Sequence, residues 1–230
     1  MKIGAIVQAR MSSQRLPQKT LLAVRGKPLL QYLLERLQKC SCLDSVIVAT
    51  SSDSSDDPIA EFCGQHQVDC HRGSLANVAQ RFFDIVNQYS LSAFVRLSGD
   101  SPLLDQELVD RAVRIFRDGN LDLVTNVLIR TFPKGQSVEV CRSETFCKIF
   151  PQMTQEDFEH VTKFFYRTPD QFLISNFESN ENLGEVQLSV DTSADLHAIS
   201  SIVSLMTHPH WEYGLTDILR LHRLIGTFLG

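Results

Sequence analysis

Short apolar, β-branched runs alternate with segments of helical periodicity through the first half of the chain, and this rhythm leaves few architectures open. "KIGAIVQA" (2–9) predicts a strand. "GKPLLQYLLERLQKCS" (26–41) places Leu29, Leu30, Leu33, Leu34 and Leu37 on one helical face, with Pro28 suited to a first turn. "SVIVAT" (45–50) is a strand without polar alternation, as expected when both faces are covered. A helix at "DPIAEFCGQHQ" and a strand at "VDCHR" follow, then a helix at "SLANVAQRFFDIVNQY" with Ser74 as N-cap. "SAFVRLSGD" reads as a strand, "DQELVDRAVRIFRDG" as a helix between Asp105 and Gly119, and "DLVTNV" as a strand. Such alternation requires right-handed crossovers, hence an α/β fold of three layers with a mostly parallel sheet covered on both faces.

After residue 126 the rhythm changes. "FPKGQSVEVCR" predicts a loop or hairpin with a short strand at Val138–Cys141. "SETFCKIF" and "TQEDFEHVTKFFYR" predict helices, the second capped by Thr154 with Asp157 three residues on. "DQFLISNFE" and "EVQLSV" predict strands, and "DTSADLHAISSIVSLM" and "GLTDILRLHRLIG" helices. With 230 residues, 43% of them hydrophobic, one domain can bury a sizeable core. We divide it into a ligand-binding core (1–126), an α+β elaboration (127–190) and C-terminal helices (191–230).

Ligands of parallel sheets bind beyond the carboxyl ends of the strands. That rule sets Arg10–Lys19, Asp53 and Gly99–Ser101 on one rim. The loop "VQARMSSQRLPQKTL" (7–21) carries Arg10, Arg15 and Lys19, and the next carboxylate is Glu35. With backbone N–H groups exposed at residues 9 to 13, it can wrap a polyphosphate. No glycine lies between Gly4 and Gly26, so it is neither a Walker loop nor a dinucleotide fingerprint. Asp100 and Asp191 each end an apolar run, and together they could hold one Mg²⁺ that rides on phosphates.

The formal charge of -5 argues against nucleic acid as a partner, and no run approaches membrane-span length. Without an export signal, a cytoplasmic location is the expectation. The six cysteines then behave as small hydrophobes rather than disulfides, and "CGQHQVDCH" fits no common zinc spacing. The histidines of "HPHWEY" are expected in an exposed loop.

"IVQARMSSQRLPQKTLLAVRGKPLL" resembles the N-terminal signature of the bacterial sugar-acid cytidylyltransferases, nearest the spore coat polysaccharide biosynthesis protein F-like branch and related to the acylneuraminate and 3-deoxy-manno-octulosonate cytidylyltransferases. "RGSLANVAQRFFD", "VRLSGDSPLLDQELVD", "FPKGQSVEV", "EHVT" and "LSVDTSADL" resemble later blocks in the same order. The resemblance implies a glycosyltransferase-A-like nucleotide-binding fold. It also implies cytidylyl transfer from CTP to a sugar or sugar-acid hydroxyl, with release of pyrophosphate, for cell-surface polysaccharide synthesis. By position it implies Arg10, Arg15 and Lys19 on the triphosphate and Mg²⁺ on Asp100 and Asp191. Substrate contacts would fall at Gln8, Ala9, Arg72, Ser74 and Ser98 on the nucleotide side and at Lys134 and Glu139 toward the acceptor. A homodimer is the expected assembly, and His160 is a candidate base. Three positions depart from the pattern: Ser12 for glycine, Asn77 for an acid and Ser137 for Asp. If position 12 needs a positive φ, serine there costs about 1 kcal/mol. Two other readings stay open, a glycosyltransferase on the same fold and a catalytically weakened relative. The first commonly uses two Asp separated by one residue, a spacing this chain lacks.

Overall fold

The alternation folds as expected. A computed structural model describes residues 1–228, with side chains to residue 226. In chain order the first half contains β1 (Ile3–Gln8), β2 (Ala23–Val24), β3 (Lys27–Pro28), α1 (Leu29–Leu37), β4 (Ser45–Ser51), α2 (Asp57–Gln65), β5 (Asp69–Gly73), α3 (Val78–Gln88), β6 (Ala93–Ser98), α4 (Gln106–Asp118) and β7 (Leu123–Thr125). The second half adds β8 (Glu139–Arg142), α5 (Ser143–Ile149), α6 (Gln155–Phe158), α7 (Lys163–Arg167), β9 (Ile174–Asn176), α8 (Ser193–Ser204) and α9 (Leu215–Phe228).

Seven strands form one sheet in the order β5-β4-β1-β6-β8-β7-β9, and β8 alone among them runs antiparallel to its neighbours. Alternate residues of the strands feed two cores. Ala5 and Val7 of β1, Val48 of β4 and Val95 of β6 pack with α1, α2 and α4 on one face. Ile6, Ile47 and Phe94 pack with α3, α5 and the Phe164–Phe165 pair of α7 on the other. A third cluster joins α8 and α9 to Leu29, Tyr32, Leu188 and Val190. The register aligns Gln8 with Ala49 and Ser98, so β1, β4 and β6 end together at one rim. It also sets Glu139 of β8 opposite both Arg96 of β6 and Thr125 of β7.

Several local expectations are corrected. The N-cap of α3 is Asn77, whose side chain accepts from the Gln80 N–H at 2.8 Å; Ser74 instead accepts from the Asn77 N–H. Residues 23–28 form a small hairpin ahead of α1. "TQEDFEHVTKFFYR" breaks into α6 and α7, although the Thr154–Asp157 capping box is present. "EVQLSV" is not a ladder strand; its sheet-like pairing is limited to the isolated bridge of Gln187 with Lys134. In "HPHWEY", His208 is exposed, but His210 is buried against Tyr32. Burial, with Arg36 and Lys27 nearby, lowers its pKa to about 3.

Candidate active site

The first loop leaves β1 and returns through a turn in which Gln18 takes a left-handed conformation (φ 60°), and the next residue, Lys19, points inward. Its ammonium donates to Asp100 Oδ2 at 2.7 Å and to Asp191 Oδ1 at 2.9 Å. Arg15 approaches the same Asp191 oxygen at 3.0 Å, and Arg10 pairs with Glu159 at 2.8 Å. Burial alone would lower the Lys19 pKa, but the two carboxylates outweigh it and raise the value above that of an ordinary lysine. Lys19 is therefore charged throughout the neutral range. For Asp191, burial acts upward, but the Lys19 hydrogen bond and charge, with Arg15, hold its pKa below the usual carboxylate range.

Asp100 and Asp191 are 91 positions apart in sequence, and backbone contacts bring them together. The Lys134 N–H donates to Val186 O, the Leu188 N–H to Lys134 O, and the Val190 N–H to Asp100 O, at 2.8 to 2.9 Å. Residues 186–190 thus act as a strap that sets Asp191 beside Asp100. Thr192 and Asp195 cap α8 reciprocally, so the Asp191 carboxylate is left free of capping.

Two cavities meet at this pair. The larger, of about 470 Å³, is walled by the first loop from Arg10 to Thr20, by Val78 and Arg81 of α3, and by Glu159 and His160. The smaller, of about 260 Å³, is walled by Arg130, Lys134, Gly135, Ser137, Glu139 and Ser189. Gln8, Arg96, Ser98, Asp100 and Asp191 belong to both. Among the described residues, Arg130 and Lys134 have no acidic partner, and Arg130 donates to the Ser137 hydroxyl at 3.2 Å.

Of the residues singled out from sequence, the structure gathers Gln8, Ala9, Arg10, Arg15, Lys19, Ser98, Asp100 and Asp191 around the larger cavity, and Lys134 and Glu139 at the smaller. Glu139 is 2% exposed, and its carboxylate accepts from Arg96 and from the Tyr166 hydroxyl. It positions Arg96, whose Nε donates to Gln8. Arg72 and Ser74 lie outside both walls: Arg72 is held by Ser51 O and by Asp57, and Ser74 is exposed. Asp53 caps its own turn through the Ser55 N–H. The amide cradle is narrower than expected, because the N–H groups of Ala9, Met11 and Ser13 are already bonded to Ala49 O, Asp56 and Met11 O. Ser12 is not among the positive-φ residues, so the expected strain at that position does not arise.

Sequence reasoning missed Asp56, Arg81, Arg96 and Arg130. Asp56 is buried and carries the Met11 amide at 2.7 Å, yet within "SSDSSDDP" nothing distinguishes it from Asp53 or Asp57. Arg96 lies inside a strand and Arg81 inside an amphipathic helix, where an isolated cation reads as solvated.

The cytidylyltransferase family profile matches residues 4–170. An uncharacterised protein of Methanocaldococcus jannaschii is 36% identical over 200 residues, covering 85% of this chain and 80% of its own length. The spore coat polysaccharide biosynthesis protein SpsF of Bacillus subtilis is 30% identical over 205 residues, covering 86% and 84%. The structure of a cytidylyltransferase from Leptospira borgpetersenii superposes with a TM-score of 0.93 at 27% identity, over 99% of this chain and 96% of that one.

Proposed function

Because the chain belongs to the cytidylyltransferase family, we propose that it transfers the cytidylyl group of CTP to a hydroxyl of a nonulosonic-type sugar acid and releases pyrophosphate. The observation that carries this reading is the meeting of Asp100 and Asp191 on one ammonium, at the wall shared by a larger, nucleotide-sized cavity and a smaller one. In this reading the triphosphate lies along Arg10, Arg15 and Lys19, with its α-phosphorus at the junction. The acceptor occupies the smaller cavity. Its hydroxyl oxygen bonds to the α-phosphorus, the bond to the β-phosphate oxygen breaks, and the hydroxyl proton passes to solvent. Arg15 and Lys19 donate to the oxygens on which charge develops as pyrophosphate leaves.

The donor set suits Mg²⁺, since two hard carboxylates already converge on one cationic centre and this ion takes one or two carboxylates with phosphate oxygens and waters. Asp100 and Asp191 would hold it, and when bound it would neutralise phosphate charge and polarise the phosphoryl group. An acidic acceptor is favoured by Arg130 and Lys134. With Ser137 in place of the usual Asp, the Arg130 charge faces a neutral hydroxyl and stays available to a carboxylate. The reading includes a homodimer, for which the exposed Leu128, Ile129 and Leu173 beside β9 offer apolar surface, and supply of an activated sugar acid to cell-surface polysaccharide.

The test is pyrophosphate release from CTP and Mg²⁺ across a panel of nonulosonic acids. Release should occur with at least one, and Asp100→Asn should lower it on the order of 100-fold. A rate no higher than that of the variant across the whole panel would contradict the reading.

A further inference from the structure

Arg81 stands apart from every other cation at the larger cavity. It projects from the first turns of α3 into the wall and is only 2% exposed. Its Nε and Nη1 are buried without a hydrogen-bond partner, and no described residue accepts from Nη2. The comparison with Arg36 is direct. That guanidinium is also buried, but it donates to Leu104 O, Gln106, His210 O and Tyr213 O. Buried donors without acceptors are costly, and folded chains keep few of them without a reason.

The surroundings are built for this side chain. A Cβ at Gly73 would lie 2.9 Å from Arg81 Cγ, so glycine at the end of β5 leaves room for the arginine stem. Asp56 and Glu159 act on the guanidinium with favourable charge, and Arg10 opposes them. The Asp56 carboxylate is itself committed to Met11 N–H and to Ser51. Glu159 is paired with Arg10, so neither acid takes up the Arg81 N–H groups, and the guanidinium remains an unused fork. It suits a neutral, planar group with adjacent acceptors, set against the apolar Ala9 and Val78 of the same wall.

We propose that Arg81 selects the base, donating paired N–H groups to the adjacent O2 and N3 acceptors of cytosine. The inference rests on the cytidylyl-transfer reading. Uracil carries a hydrogen on N3, so the same fork would meet a donor, and a buried donor would stay unpaired. Arg81 is thus a specificity residue that leaves the chemistry at the phosphorus to Asp100, Asp191 and Lys19.

Titration calorimetry of CTP and UTP, with Mg²⁺, on the wild type, Arg81→Met and Arg81→Lys tests this, with thermal melts to confirm folding. The wild type should prefer CTP by roughly tenfold or more. Both variants should lose that preference through weaker CTP binding, while UTP binding changes less than about threefold. Wild-type binding of 3-deaza-CTP, which lacks the N3 acceptor, tests the same contact without substitution and should be weaker by about tenfold. An unchanged preference in a folded variant, equal weakening of both nucleotides, or undiminished binding of the deaza analogue would each overturn the assignment while leaving cytidylyl transfer standing. Absence of CTP binding to the wild type would overturn both.

Discussion

Of the three positions that depart from the resembled pattern, Ser137 is the one that lines the smaller cavity, where Arg130 donates to its hydroxyl. Arg130→Met should raise the KM for the sugar acid by about tenfold or more, as expected for loss of a charge-assisted contact, and leave the KM for CTP within about threefold. Steady-state kinetics with each substrate varied in turn reads both. The other two departures have milder consequences. Asn77 caps α3 as well as an acid would, and Ser12 is exposed in ordinary backbone geometry. At this scale the sequence was legible where charge was dense, as in Arg10, Arg15 and Lys19. It was not legible where one residue's burial decides its role. Arg81 and Glu139 are each 2% exposed; the charges acting on Arg81 and the hydrogen-bond partners of Glu139 come from elements distant in sequence.

Among the elements, the strap of residues 186–190 matters most, because it delivers Asp191. Its alternation of Val186, Leu188 and Val190 is real and packs on the third core, which is why it reads as a strand. The ladder is absent because its bonds go to Lys134 and to Asp100, two separate loops. Gly135 lies directly under the strap with φ 91°, and a Cβ there would come within 2.5 Å of Ser189 N. Gly135→Ala should therefore cost at least about 2 kcal/mol in urea unfolding, from left-handed strain and backbone collision together. It should also depress pyrophosphate release, since displacing the strap moves Asp191. Stability within about 0.5 kcal/mol of wild type, the range of a neutral surface change, would show the strap to be tolerant. The α6–α7 break carries no mark in residues 159–162 that sequence reading could use. The end of β5 does carry one, in the glycine of "RGS", but its purpose is visible only beside Arg81.

In the whole molecule, the alternation of the first half dictated a layered parallel sheet and hence the rim where the site lies. The placing of β8 could not be read in advance, because it inserts between β6 and β7 from a later part of the chain. That insertion sets Glu139 opposite Arg96 and brings the 130–137 loop to the rim, which creates the smaller cavity beside the larger. In the proposed reading the larger cavity takes the nucleotide and the smaller the acceptor. A crystal structure with CTP and Mg²⁺ tests it most directly. The triphosphate should lie along Arg10, Arg15 and Lys19 and the ion on Asp100 and Asp191, with the smaller cavity open to an acceptor. Phosphates seated against Arg130 and Lys134 instead, or an ion held away from both aspartates, would contradict that reading.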